Sequence, residues 1–149
     1  GAGANYGTAL ESALKMGETI HIPSCCYEIE EYIHGPNLQL TPQYNVIFFD
    51  GNDGASRRVE QVYKATRKVT NRAYLISNNP QLSRDGHVLS LSDTVSSELS
   101  PLVYLPFVQL LSFIVSNDLH SIYQHPLLKE FKAIAAAKTE NFVNYDGDD

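Results

Sequence analysis

Tyr44-Asn45-Val46-Ile47-Phe48-Phe49, followed by the loop Asp50-Gly51-Asn52-Asp53-Gly54 and a helical stretch from Arg57 to Val69, decides the fold class. The first six residues are rich in β-branched and aromatic side chains. They are apolar on both faces at their end, which suits a parallel strand covered by helices on both sides. Ser56 is placed to cap the helix that follows, whose exposed face carries Arg57, Arg58, Lys64, Arg67 and Lys68. Arg72-Ala73-Tyr74-Leu75-Ile76-Ser77 reads as a second strand, Asn78-Asn79-Pro80 as a turn, and His87-Val88-Leu89-Ser90-Leu91 as a third strand. Strands alternating with helices predict an α/β fold, a three-layer α-β-α sandwich with a mainly parallel sheet.

Upstream, Thr8 to Glu18 reads as a helix, with Leu10, Ala13, Leu14 and Gly17 as a narrow apolar stripe. Ile20 to Pro23 suits a short extended segment. Ser24 is a candidate cap for a helical turn through Tyr27 to Tyr32, which Gly35-Pro36 ends. Downstream, Ser100 to Val115 forms a long helix with Pro101 in its first turn. Its apolar stretch, Leu102 to Val115, is interrupted by Pro106, Gln109 and Ser112. It is shorter than a bilayer span and reads as a buried helix. Pro126 to Ala137 reads as a last helix, and Asp146-Gly147-Asp148-Asp149 as a loose acidic tail.

A chain of 149 residues fits one domain spanning 1–149. The net charge of -6 argues against a nucleic-acid partner. It leaves room for a small anionic ligand, because a helix N-terminus binds phosphate without net positive charge. Cys25 and Cys26 are neighbours and form no disulfide framework, so the expected compartment is the reducing cytoplasm. No signal peptide is visible and no membrane partner is expected. The opening Gly1-Ala2-Gly3-Ala4-Asn5-Tyr6-Gly7 has turn composition and leads straight into a helix with no strand before it, as a fragment of a longer protein would.

Three constellations bear on chemistry. Glu11, Lys15 and Glu18 share one helical stripe. Glu ahead of Lys at i, i+4 is the ordinary orientation of a surface ion pair. The sharper reading makes Glu18 a general base, with Lys15 holding its carboxylate ionised or shuttling a proton. His34 precedes Gly35-Pro36, which fixes the backbone behind an imidazole suited to acid–base work. Gly1-Ala2-Gly3 with Gly7 lacks the spacing and preceding strand of a dinucleotide fingerprint, yet its turn can bring backbone N–H groups to an anion. His21, Cys25, Cys26 and His34 match no paired-ligand spacing, so no metal is expected, nor any cofactor.

These residues resemble a known family. Gly1 to Glu18 is similar to the opening of the second sugar isomerase (SIS) domain in glucosamine-6-phosphate synthase and its relatives, among them fructosamine-6-phosphate deglycases and amino-sugar-phosphate isomerases. Glu31-Tyr32-Ile33-His34-Gly35-Pro36 resembles the family's Glu-x-x-His-Gly-Pro turn. Pro101 to Ser112 resembles its late helix with a Gln-Leu-Leu core. The resemblance implies the SIS fold with flavodoxin-like topology, here the C-terminal half of a two-domain protein lacking its first strand.

It also implies roles. Glu18 moves a proton between C1 and C2 of a phosphosugar through an enediol or enolamine. His34 assists ring opening, reaching across to the partner subunit's site. Glu11 and Lys15 support them, and Gly3 and Asn5 line the substrate. The implied partners are a sugar-phosphate substrate, a second copy of the chain in a homodimer or larger homo-oligomer, and an N-terminal SIS domain.

Two departures matter. No Ser-x-Ser-Gly-x-Thr phosphate loop is present. The tail Tyr123-Gln124-His125-Pro126-Leu127-Leu128-Lys129 differs from the synthase tail that supplies a catalytic lysine, and is closer to the deglycase type, which leaves Lys132 and Lys138 as candidates. A deglycase or aldose–ketose isomerase half is therefore favoured. The alternatives are a non-catalytic sugar-phosphate-binding or dimerisation module and the isomerase domain of the synthase. Glu18 and His34 are expected to face one cleft at the C-terminal ends of the strands, where open α/β sheets bind ligands.

Overall fold

A computed structural model describes residues 1–82, 86–91, 95–121 and 134. Its elements are α1 (Asn5–Ile20), α2 (Ile29–Ile33), a 3₁₀ turn (Pro36–Gln39), β1 (Val46–Asp50), α3 (Ser56–Thr66), β2 (Ala73–Ser77), a second 3₁₀ turn (Pro80–Leu82), β3 (Val88–Ser90) and α4 (Ser100–Asp118). The expected last helix, apart from Ile134, and the acidic tail lie outside the described residues, as do Lys132 and Lys138.

The sheet is parallel throughout, in the order β1-β2-β3. Phe48 stands opposite Leu75 and Asp50 opposite Ser77, while Leu75 stands opposite Val88. Successive strand side chains point to opposite faces, and that alternation splits the core in two. Phe48, Ala73 and Leu75 pack with Ile29 and Tyr32 of α2 and Val59, Val62 and Tyr63 of α3. Phe49 and Ile76 pack on the other face with Ala9 of α1 and Tyr104 and Val108 of α4. The Phe48 ring meets Tyr32 and Tyr63 edge-on, with centroids 5.8 and 6.0 Å apart, and Phe49 stacks on Tyr104. This is the three-layer sandwich expected from the sequence.

α1 and α4 run parallel on one face. Asn5 Nδ2 donates to Ser100 Oγ where both helices begin, and Ser121 Oγ donates to the Thr19 carbonyl where both end. Between them the contact is built from small and hydroxylic side chains. Thr8, Ala9 and Ser12 face inward on α1, as do Ser100, Ser112 and Ser116 on α4. The hydroxyls of Ser12, Ser100 and Ser116 donate to carbonyls three or four residues back, so they can be buried without penalty.

This packing overturns two expectations. The Leu10–Leu14 stripe of α1 faces outward, with the two leucines 48% and 53% exposed. On α4 only Tyr104 and Val108 of the apolar residues are fully buried, while Leu102 is 70% and Phe113 63% exposed. The reason is that α1 accepts the ridge 100-104-108-112-116, whose serines allow close approach, and the bulky residues are left on the outside. α4 is 19 residues long and, by length and composition alone, apolar enough to cross a membrane, contrary to the shorter span expected.

Local corrections are smaller. α1 begins a turn early and runs through Ile20, in place of an extended segment there. His21 closes it in the left-handed region at φ 60°, its N–H bonded to the Gly17 carbonyl. α2 is capped by Glu28, not Ser24: the Glu28 carboxylate accepts the Glu30 N–H, and Glu31 reaches back to the Glu28 N–H, a reciprocal capping box. Ser56 sits inside α3 and bonds Asp50 rather than capping the helix end. Cys25 is exposed and Cys26 half-buried against the second core, where burial raises its thiol pKa.

Candidate active site

The stripe predicted on α1 is present. Lys15 Nζ lies 2.8 Å from Glu18 Oε2 and 3.5 Å from Glu11 Oε1, one ammonium held between two carboxylates. The hydrogen bond to Glu18, together with both negative charges, raises the Lys15 pKa. All three side chains reach solvent, and Glu18 is half exposed.

His34 is the C-cap of α2, and its turn is fixed on both sides. Its backbone N–H bonds the Glu31 carbonyl, and the Leu38 N–H bonds the Gly35 carbonyl in the turn begun by Pro36. α2 itself is held on α3 by Arg58, whose Nε and Nη2 donate to the two oxygens of Glu30 at 2.7 and 3.1 Å. That contact holds the Glu30 carboxyl below its ordinary range. His34 is exposed, and no hydrogen bond or ion pair joins it to Glu18.

The two groups do not face a cleft at the strand C-termini. Asn5 lies just past the end of β1, so close that a Cβ on Gly51 would come within 2.9 Å of its Nδ2. α1 therefore starts at the C-terminal ends of the strands and runs back along the sheet. Glu18, thirteen residues on, lies about 20 Å farther along the helix axis. The Tyr32 hydroxyl meets Thr66 in the last turn of α3, so the end of α2 lies toward the same far end.

The strand C-termini are filled by the chain's own polar groups. Asp50 is 1% exposed. One of its carboxylate oxygens accepts the Asn52 N–H and the Ser56 hydroxyl, and the other accepts the Ser77 hydroxyl at 2.7 Å. Asp53 Oδ1 accepts the Ala55 N–H. The Tyr104 hydroxyl donates to the Asp50 carbonyl, and burial pushes its pKa up to about 12. A phosphate approaching the N-terminus of α3 would thus meet two carboxylates already seated there.

The remaining candidates divide. Asn5 is 1% exposed, with Nδ2 on Ser100 and Oδ1 accepting the Thr8 hydroxyl, so it ties two helices together. Gly3 is exposed at φ 53° beside Asp53, where a Cβ would meet the carboxylate at 3.0 Å. The sequence reading missed Asp50, placed in a loop, although a carboxylate ending an apolar run is the available signal. It also missed a cleft of about 370 Å³ behind the His34 turn, lined by Tyr32, Asn37, Arg58, Gln61, Val62 and Val69, in which Asn37 Oδ1 is buried without a partner.

The fold is thus an open parallel sheet between two helical layers, with the Glu11–Lys15–Glu18 stripe on one helix and the His34 turn after the next. No family model matches the chain. Over 122 residues it is 31% identical to the isomerising glutamine–fructose-6-phosphate aminotransferase of Methanothermobacter thermautotrophicus, covering 79% of this chain and 20% of the relative. A provisionally assigned phosphosugar isomerase of Clostridium difficile superposes with a TM-score of 0.74 at 23% identity, over 93% of this chain and 38% of that one. The tagatose-6-phosphate ketose/aldose isomerase of Escherichia coli superposes at 0.68 with 19% identity, over 77% and 33%. The chain is an SIS domain-like region, homologous to part of the aminotransferase and sharing the fold of the isomerases. It spans about a fifth of the curated relatives' length.

Proposed function

We propose that this chain is the C-terminal SIS half of a cytoplasmic phosphosugar isomerase or deglycase that acts on amino-sugar or fructosamine phosphates. The observation that carries the reading is the Glu11–Lys15–Glu18 stripe, with one ammonium bridging two carboxylates in solvent. Glu18 is the base that takes a proton from C1 or C2 of the open-chain sugar and returns it to the neighbouring carbon. Lys15 holds that carboxylate in place and neutralises the enediolate charge as it forms. His34, anchored at the end of α2, protonates the ring oxygen of the cyclic form as the ring opens. Glu11 positions Lys15. General acid–base groups of this kind each contribute about 10²–10⁴-fold.

The phosphate is held outside the α3 N-terminus, which Asp50 and Asp53 fill. The N-terminal SIS domain of a longer chain, or a second copy, supplies that contact, with the exposed Gly3 before α1 as this chain's candidate backbone contribution. The same self-filled strand ends favour a second reading, a non-catalytic dimerisation or sugar-phosphate-binding half, in which the stripe is only a solvated helix face.

The test is exchange of the substrate's C1 or C2 proton with deuterated solvent, followed by NMR on the full-length protein. Glu18→Gln abolishes exchange under the catalytic reading, because an amide is no base. Unchanged exchange in that variant refutes the assignment.

A further inference from the structure

At the opposite end of the sheet from Asp50, the connection from α3 to β2 gathers positive charge in an acidic chain. From Gln61 to Leu82 the sequence carries Lys64, Arg67, Lys68 and Arg72 and no carboxylate, while the chain as a whole stands at -6. Arg67, Lys68 and Arg72 line one pocket of about 350 Å³ together with Pro42, Thr70 and Asn71, a volume within the range of small-ligand sites. Among the described residues none of these three cations is ion-paired, whereas Lys15, Arg58 and Lys64 each are. Cations at the end of a helix ordinarily offset its dipole. That accounts for Arg67 and Lys68 after α3, but not for Arg72, which joins them from just before β2.

The pocket is built on a fixed turn. Thr70 is 2% exposed, and its hydroxyl lies 3.0 and 2.9 Å from the Pro42 and Tyr44 carbonyls while accepting the Arg72 N–H. Arg67 Nη1 donates to the Asn71 carbonyl at 3.0 Å, and Arg72 Nη1 to the Gln43 carbonyl at 3.3 Å. Each guanidinium is held through one nitrogen, which leaves the rest of its fork for a ligand. We propose that this pocket binds the diphosphate group of a soluble small molecule. A pocket lined by one sign of charge concentrates its field on an anion, and guanidinium forks engage phosphoryl oxygens two at a time. A monophosphate, at about -1.5 to -2 near pH 7, leaves one of the three cations unmatched, and a diphosphate engages them all. The site sits at the C-terminal end of α3, about 16 Å from the Asp50–Asp53 end of that helix. It does not depend on the catalytic reading and survives if Glu18 proves inert.

Titration calorimetry of the full-length protein with inorganic pyrophosphate tests it. The expected result is saturable binding that weakens as sodium chloride is added. Arg67→Ala/Arg72→Ala should weaken it by at least about tenfold, and Arg57→Ala, an exposed cation in the first turn of α3, should leave it unchanged. Where the double variant disturbs the turn, Lys68→Gln decides: its side chain makes no hydrogen bond among the described residues, so a severalfold weaker affinity supports the site and an unchanged one overturns it. A wild type that binds pyrophosphate no more tightly than about 1 mM overturns the proposal, as does a folded double variant of unchanged affinity. Citrate binding as tightly as pyrophosphate also overturns it, since the pocket then reads charge alone. So does binding only to vesicles that carry phosphatidylinositol phosphates, since the phosphoryl groups then belong to a membrane surface.

Discussion

The Tyr104 hydroxyl donates to the backbone carbonyl of Asp50 at 2.7 Å, joining α4 to the end of β1 across 54 residues of sequence. The same phenol stacks on Phe49, so one side chain ties the second core to the buried polar group at the strand ends. Tyr104→Phe keeps the ring and removes the bond, leaving a buried carbonyl unpaired. Chemical denaturation at pH 7 is expected to show a loss of about 1–2 kcal/mol.

Tyr104 also sets an alkaline limit. Its pKa in the fold is about 12, against about 10 for a free phenol. Between those values the folded chain keeps the proton and the unfolded chain loses it. This contribution to stability is complete below pH 10 and is lost as pH rises toward 12. Denaturation midpoints measured from pH 9 to 12 should fall less steeply for Tyr104→Phe than for the wild type.

Asp50 gathers three donors in a site closed to water. Asp50→Ala strands all of them, and a loss of roughly 3 kcal/mol is expected. Asp50→Asn retains an acceptor oxygen and should cost less. Equal losses in the two variants, measured by urea titration, would show that the carboxylate's hydrogen bonds carry little of the stability.

Lys15→Met should slow turnover by about 10²-fold with KM little changed if the ammonium serves the proposed proton transfer more than binding. Steady-state kinetics with the full-length protein checks the split. A change confined to KM would make Lys15 a binding group instead.

Glu30 and Arg58 fix the element that carries His34. The lowered Glu30 pKa means that this contribution is present above the ordinary glutamate range and is lost as pH falls through the folded value. The pair is solvent-exposed, so the effect is small and salt-sensitive. Wild type and Glu30→Gln are expected to converge in stability as pH falls below the ordinary glutamate range, at low ionic strength.

His34→Ala should impair turnover of a cyclic substrate more than that of an open-chain analogue, since the task proposed for it is ring opening. Equal losses on both substrates would remove that role.

The strands were legible because a parallel strand between two helical layers leaves an apolar run, as at 46–49 and 73–76. The Glu11–Lys15–Glu18 stripe was legible because helical spacing alone puts the three side chains together. The buried face of α1 was not. It is made of Asn5, Thr8, Ala9 and Ser12, residues whose hydropathy favours solvent and whose small size is rewarded only when a partner helix comes close. Leu10 and Leu14 looked like the core for the same reason in reverse. The place of Glu18 was hidden too, because the direction of α1 along the sheet is set by the Asn5–Gly51 approach and by Ser100, 95 residues away. The role of Asp50 depends on Ser56 and Ser77 converging on it, which only the fold brings about.

The latches at the two ends of the α1–α4 pair, Asn5 to Ser100 and Thr19 to Ser121, have a mechanical consequence. Two helices pinned at both ends cannot slide past one another without breaking a buried bond. The two bonds fix the register of α1 on α4, and Glu18 lies one residue from the Thr19 pin.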